Sequence, residues 1–202
     1  MTQRVKLTYI SLFVLLPICI ITGTSFGAFK IEFEQCANIL LNVFGIENYS
    51  DFTNPQHNVL LYIRLPRVCL SMMIGAALAV SGAGLQGLFR NPLADPGLIG
   101  ISAGAMLAAS VAIILGLQFT SGFLGYYSIS VATFIGAVSA TIIVFRLSKS
   151  DKSTNISTML LAGIAINALA GAVTGFIIYL SDDDQLRDIT FWSLGSLGGA
   201  DW

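Results

Sequence analysis

Four stretches of this chain run without a charged residue for longer than a soluble helix tolerates: 7–29, 68–89, 97–145 and 153–181. An α-helix needs about 20 mostly apolar residues to cross the hydrocarbon core of a bilayer. Each stretch meets that length, and the third holds enough residues for two helices. Between Gly116 and Gly125, the polar and flexible residues Gln118, Thr120, Ser121 and Gly122 place the turn that divides it. The expected fold is all-α, a polytopic transmembrane helix bundle with five spans at about 7–29, 66–88, 97–116, 127–146 and 157–180.

Composition agrees with that reading. Hydrophobic residues make up 55% of the 202 residues and charged ones only 10%, with a mean hydropathy of +0.80, whereas soluble domains carry about 25% charged residues. No basic stripe or patch is present, which excludes a nucleic-acid surface. Cys19, Cys36 and Cys69 are isolated and odd in number, so they are read as packing residues. The single His57 lies in a polar loop with no second ligand nearby, so no metal site is expected. The uncharged stretch at the N-terminus outruns the ~7–15-residue core of a secretory signal. It is read as a first transmembrane helix.

Lysine and arginine placement orients the bundle. With the N-terminus in the cytoplasm, the inner segments hold Arg4, Lys6, Arg90, Arg146, Lys149 and Lys152. The outer segments hold Lys30, Arg64, Arg67 and Arg187, diluted by acidic residues that include Asp182–Asp184. The segment from Lys30 to Ile63 is the one sizeable polar excursion and is too short for a domain of its own. After the fifth span, residues 189–202 are too short to cross, and Trp192 and Trp202 suit an interfacial or re-entrant helix.

Small residues recur every fourth position in the second span (Gly75, Ala79, Ala83, Gly87), and Gly163, Gly171 and Gly175 share one face of the fifth with Asn167. In lipid, such faces let helix backbones approach closely, so these positions are expected to pack against other helices. Asn167 falls near mid-membrane. An interhelical hydrogen bond is the favoured reading for it, ahead of a place on a translocation pathway.

Arg64 and Arg67 bracket Pro66 three residues apart and so share one helix face at the outer surface. They either snorkel to the interface or offer paired donors to carboxylates on a docking partner. Asn91-Pro92 and Asp95-Pro96-Gly97 are turn sequences that end the second helix on the cytoplasmic side, and Asp95 is placed to cap the third. In the acidic segment 182–188, read as a solvated loop, Arg187 is the only cation and is placed to meet an anionic substrate at the outer mouth. There is no GxxxxGK[ST] phosphate loop, nucleophile–base pair or metal cluster, so neither ATP binding nor catalysis is expected of this chain.

Several blocks carry a resemblance: Arg64-Leu-Pro-Arg67, Gly75-Ala-Ala-Leu-Ala-Val-Ser-Gly82, the run from Leu85 through Arg90-Asn-Pro-Leu-Ala-Asp-Pro-Gly97 to Gly100, and Leu160-Leu-Ala-Gly-Ile-Ala-Ile-Asn167. Together they resemble the FecCD-type permease family of ABC importers for heme, ferric siderophores and cobalamin. The stretch 184–200 is most similar to the hemin permeases. The resemblance implies a homodimeric permease with ten spans per subunit in the cytoplasmic membrane. It also implies two cytoplasmic ATPase subunits that bind and hydrolyse ATP, and an extracytoplasmic substrate-binding protein. Arg64 and Arg67 match the family's docking arginines. Asn167 and Arg187 become candidates for the translocation pathway, with Arg187 facing heme propionates.

No cofactor is expected on this chain, and heme or another iron complex is cargo. The family's coupling helix lies between the sixth and seventh spans, so the chain is expected to be the N-terminal part of a permease. The alternatives are the same role for a ferric siderophore or cobalamin, and an ATP-independent membrane assembly or scaffold protein. An integral membrane enzyme ranks last, since the spans lack paired carboxylates and histidines.

Overall fold

The computed structural model describes residues 3–43, 45–46, 52–117, 123–150 and 153–202. Helices dominate them, as a bilayer requires of a chain that must satisfy its backbone hydrogen bonds internally. In order these are α1 (Gln3–Ser25), α2 (Phe33–Val43), α3 (Asn54–Asn58), a π-helical turn (Val59–Arg64), α4 (Leu65–Phe89), a 3-10 turn (Pro96–Ile99), α5 (Ile101–Ile114), α6 (Phe123–Ser148), α7 (Ile156–Leu180) and α8 (Asp183–Leu194). A short hairpin, β1 (Lys149–Ser150) against β2 (Ser153–Thr154), joins α6 to α7 with Lys149 opposite Thr154.

Among the described residues four helices are long and apolar enough to cross a membrane: Gln3–Ser25, Asn54–Phe89, Gly125–Ser148 and Ile156–Leu180. The second is continuous over 36 residues because α3 and the π turn run straight into α4, so this span begins well before the expected residue 66. The third expected span is a shorter apolar helix. Gly100 adopts a left-handed φ of 85°, which separates the 3-10 turn from the 14 residues of α5. At 1.5 Å per residue α5 covers about 21 Å, short of a hydrocarbon core of about 30 Å. The helix expected over 189–202 instead occupies Asp183–Leu194, and Gly195 stops it at φ 77°. The turn expected between Gly116 and Gly125 falls largely on 118–122, outside the described residues.

The chain divides into two compact units, Met1–Ala76 with Leu197–Trp202, and Ala77–Ser196. The first has a small core of Ile31, Cys36, Ile39 and Leu60, built where amphipathic α2 covers the start of the long span. In the second unit, Phe89, Ile99, Val144, Met159 and Ala162 form the core. Its tightest seam is the crossing of α5 and α6. A Cβ added to Gly104 would lie 2.6 Å from the Gly136 carbonyl oxygen, and one added to Gly136 would lie 2.4 Å from the Gly104 carbonyl oxygen. Ala108 and Ala140, each one turn beyond its glycine, complete a reciprocal contact in which only small residues fit.

Candidate functional site

Two clusters gather the polar side chains that the sequence analysis singled out at the spans, Arg64 with Arg67 and the Asn91–Asp95 turn with Asn167. In the first unit, α1 ends at Ser25 with carbonyls that have no helical donor. Arg64 supplies donors to them. Its Nη1 donates to the Thr24 and Ser25 carbonyls, each at 2.8 Å, and its Nη2 donates to the Phe29 carbonyl. The guanidinium is a cation at a helix C-terminus, where the dipole favours it, and the residue is only 8% exposed. Gly27 makes this possible, since a Cβ there would sit 2.6 Å from Arg64 Nη2. To meet a partner's carboxylate, Arg64 would have to exchange these carbonyls for it.

Arg67, one turn on, is exposed and donates from Nη2 to the Gly198 carbonyl at 3.2 Å. Both arginines line an open, mostly apolar groove with Phe26, Phe29, Ile63 and Val68.

The second cluster begins where α4 ends. Arg90 takes a left-handed φ of 49°, its N–H donates to the Gly87 carbonyl, and the Asn91 N–H reaches back to Gln86. This is the Schellman pattern with arginine in the position that glycine usually fills. Asn91 Oδ1 then accepts from the Leu93 N–H at 2.9 Å, and Asp95 Oδ1 accepts from the Gly97 N–H at 2.7 Å. Pro92 and Pro96 have no N–H to satisfy, and backbone bonds from Ala94 to the Asn91 carbonyl and from Leu98 to the Asp95 carbonyl, each 3.1 Å, join the two side-chain bonds in holding the turn. Asp95 thereby caps the 3-10 turn ahead of α5.

That turn delivers the Gly97 carbonyl to Asn167 of α7, whose Nδ2 donates to it at 2.7 Å. One helical turn earlier, Gly163 lets the 3-10 backbone touch α7, for a Cβ there would lie 1.9 Å from the Leu98 carbonyl oxygen. Asn167 and Gly163 therefore act together as one interhelical seam. By contrast, a Cβ added at Gly171, Gly175, Gly75 or Gly87 meets nothing within 4 Å in this chain, and Ala79 and Ala83 are likewise exposed.

The acidic segment is a helix start. Asp182 accepts from the Gln185 N–H at 2.8 Å while the Asp182 N–H donates to Gln185 Oε1 at 3.2 Å, a capping box. Asp183 and Asp184 occupy the first turn, where the dipole favours them. Arg187 pairs with Asp184 at 3.2 Å, and both side chains are exposed. A pair in such surroundings holds loosely, leaving the guanidinium available to another anion.

Among the described residues no three of His, Cys, Asp and Glu are placed to hold a metal ion. His57 stacks on Phe52 with ring centroids 6.0 Å apart. Sequence reasoning missed α2 and α3 within the polar excursion, the π turn that ends at Arg64, and the Gly104–Gly136 crossing. Gly104 with Ala108 and Gly136 with Ala140 carry the same fourfold spacing used to single out α4 and α7, so the crossing was there to be found.

Residues 15–202 match the FecCD transport family. The chain is 44% identical over 191 residues to the hemin transport system permease protein HmuU of Yersinia pestis, covering 95% of this chain and 53% of that protein. It is 39% identical over 153 residues to the vitamin B12 import system permease protein BtuC of Escherichia coli, covering 75% of this chain and 45% of that protein. Among solved structures it is similar to a metal-chelate type ABC transporter in an inward-facing conformation. That match has 27% identity and a TM-score of 0.74, and covers 96% of this chain and 54% of the other. The chain thus spans about half the length of the curated relatives it matches. The matched residues take in both polar clusters, the second half of α1 and the three other long apolar helices, and on that evidence this chain belongs to the FecCD transport family.

Proposed function

We propose that this chain belongs to the permease subunit of an ABC importer that carries heme across the cytoplasmic membrane, with its N-terminus in the cytoplasm. The observation that carries the cargo is the 44% identity to a hemin permease over 95% of the chain. The 39% identity to a vitamin B12 permease supports cobalamin as the second reading, and a ferric siderophore fits the same role. The subunit is not an enzyme and binds no cofactor. ATP is hydrolysed by partner subunits in the cytoplasm, and a second permease copy completes the membrane part.

An extracytoplasmic binding protein delivers the cargo, and Arg67 is its docking donor. Its exposed guanidinium suits a carboxylate fork, and Arg64 beside it braces the end of α1. Arg187, held only by an exposed pair with Asp184, takes the propionates as heme enters. Asn167 lies beside the route as a packing element.

The test is reconstitution of the permease with its ATPase and binding protein in proteoliposomes. Uptake of heme that needs ATP and slows with Arg187→Ala, while assembly stays intact, is the expected result. Uptake of cobalamin or a ferric siderophore in place of heme would move the cargo to the second reading. No ATP-dependent uptake of any of the three would reject the transport role.

A further inference from the structure

The long second span widens, directly after α3, into a turn whose bonding leaves one carbonyl over. Residues Val59–Arg64 are π-helical, and the Leu65 N–H donates to the Leu60 carbonyl five residues back. The next bond in that register would run from the N–H of residue 66 to the Leu61 carbonyl. Residue 66 is proline, which has no N–H to give. The Leu61 carbonyl is thus orphaned within the Asn54–Phe89 helix, and an unmet backbone acceptor costs more away from water than in it.

A side chain 141 residues away fills the gap: the Trp202 indole Nε1–H donates to the Leu61 carbonyl at 2.8 Å. Close by, Arg67 Nη2 donates to the Gly198 carbonyl at 3.2 Å. Residues 197–202 are therefore tied to positions 61 and 67 by two side-chain bonds, both within one compact unit.

We infer that Trp202 is a positioning residue for the docking arginine. Its indole N–H occupies the acceptor that Pro66 orphans, and this holds the Gly198 carbonyl against one arm of the Arg67 guanidinium. An arginine presents five N–H donors in a rigid fork. With Nη2 engaged on Gly198, the remaining donors face a partner already ordered, so docking does not have to freeze a long, free side chain. The positioning role rests on the docking reading of Arg67, whereas the tie between Trp202 and Leu61 does not.

A double-mutant cycle on the intact permease in nanodiscs tests the inference. Trp202→Phe keeps an aromatic ring and removes the N–H. Pro66→Ala restores an N–H next to the Leu61 carbonyl and so makes the indole redundant. Two readouts are taken, amide hydrogen exchange of the 195–202 peptide and affinity for the binding protein. Trp202→Phe should raise exchange and weaken docking by about three- to tenfold, and in the Pro66→Ala background both effects should shrink below about twofold.

Unchanged exchange in Trp202→Phe overturns the tie. A full effect that persists with Pro66→Ala overturns the orphan-carbonyl explanation and reduces Trp202 to an ordinary packing residue. If Arg67→Ala leaves docking unchanged while Trp202→Phe still raises exchange, the docking reading has failed and the positioning role falls with it, whereas the tie stands.

Discussion

Replacing Gly163 by alanine should destabilise the chain more than any other single-methyl addition on α7. The added Cβ would lie 1.9 Å from the Leu98 carbonyl oxygen. Real Cβ atoms essentially never come closer than 3.0 Å, so the 3-10 turn would have to retreat by about 1.1 Å. Overpacking of this kind against backbone costs about 1–3 kcal/mol. The retreat would also stretch the Asn167–Gly97 bond from 2.7 Å past hydrogen-bonding range, and such interhelical bonds are worth about 0.6–1.7 kcal/mol. The two losses together predict about 2–5 kcal/mol.

Unfolding by SDS titration in bicelles, followed by far-UV circular dichroism, measures the difference. Gly171→Ala is the control, because a methyl there meets nothing within 4 Å in this chain and alanine favours the helix by up to about 1 kcal/mol. A Gly163→Ala protein within about 0.5 kcal/mol of the parent, or no worse than Gly171→Ala, would refute the seam, since ordinary surface changes fall in that range.

Three further outcomes follow from the same contacts. Arg64→Met should lower stability by about 2–4 kcal/mol, because the Thr24, Ser25 and Phe29 carbonyls lose a charged donor in a buried place; a thermal midpoint unchanged in detergent would contradict this. Asn167→Leu should cost about 0.6–1.7 kcal/mol in the bicelle assay, and its cost should disappear in a Gly163→Ala background where the bond is already broken. Asp182→Ala should fray the start of α8 at a cost of about 0.5–2 kcal/mol, seen as faster amide exchange in residues 183–187; unaltered exchange there would argue against the capping box.

The long spans were legible because lipid leaves a charge-free segment little choice but helix. The expected 66–88, 127–146 and 157–180 fall inside α4, α6 and α7, with small errors at the ends except where the second span runs on upstream. Failures came where one residue overrode the hydropathy pattern. The first span stops at Ser25 and not Phe29, since Arg64 holds the 24–29 backbone away from a further helical turn. The second begins upstream at Asn54 although Arg64 interrupts it, a charge tolerated because three carbonyls receive it. The third is cut by the left-handed Gly100, a backbone choice that hydropathy does not register.

At the sites the pattern was similar. Asn167 was expected to bond across helices and does so, to a carbonyl presented by the Asp95–Pro96–Gly97 turn. The acidic run from Asp182 was taken for a loop although Asp182 and Gln185 spell a capping box three residues apart. The π turn had no sequence signal beyond Pro66 itself, because a proline fixes which N–H is missing but not which carbonyl is left behind.

The transport account depends on one geometric claim: the two ends of the Asn54–Phe89 helix lie on opposite sides of the membrane, with Arg67 outside and Arg90 in the cytoplasm. Single cysteines at these two positions, in a background with Cys19, Cys36 and Cys69 replaced, can be labelled in intact cells with a membrane-impermeant maleimide. The account predicts that Arg67→Cys is labelled from outside and Arg90→Cys only after the membrane is permeabilised. The reverse pattern would put Arg67 in the cytoplasm, where it could not serve the proposed docking role, and would contradict the proposed import function.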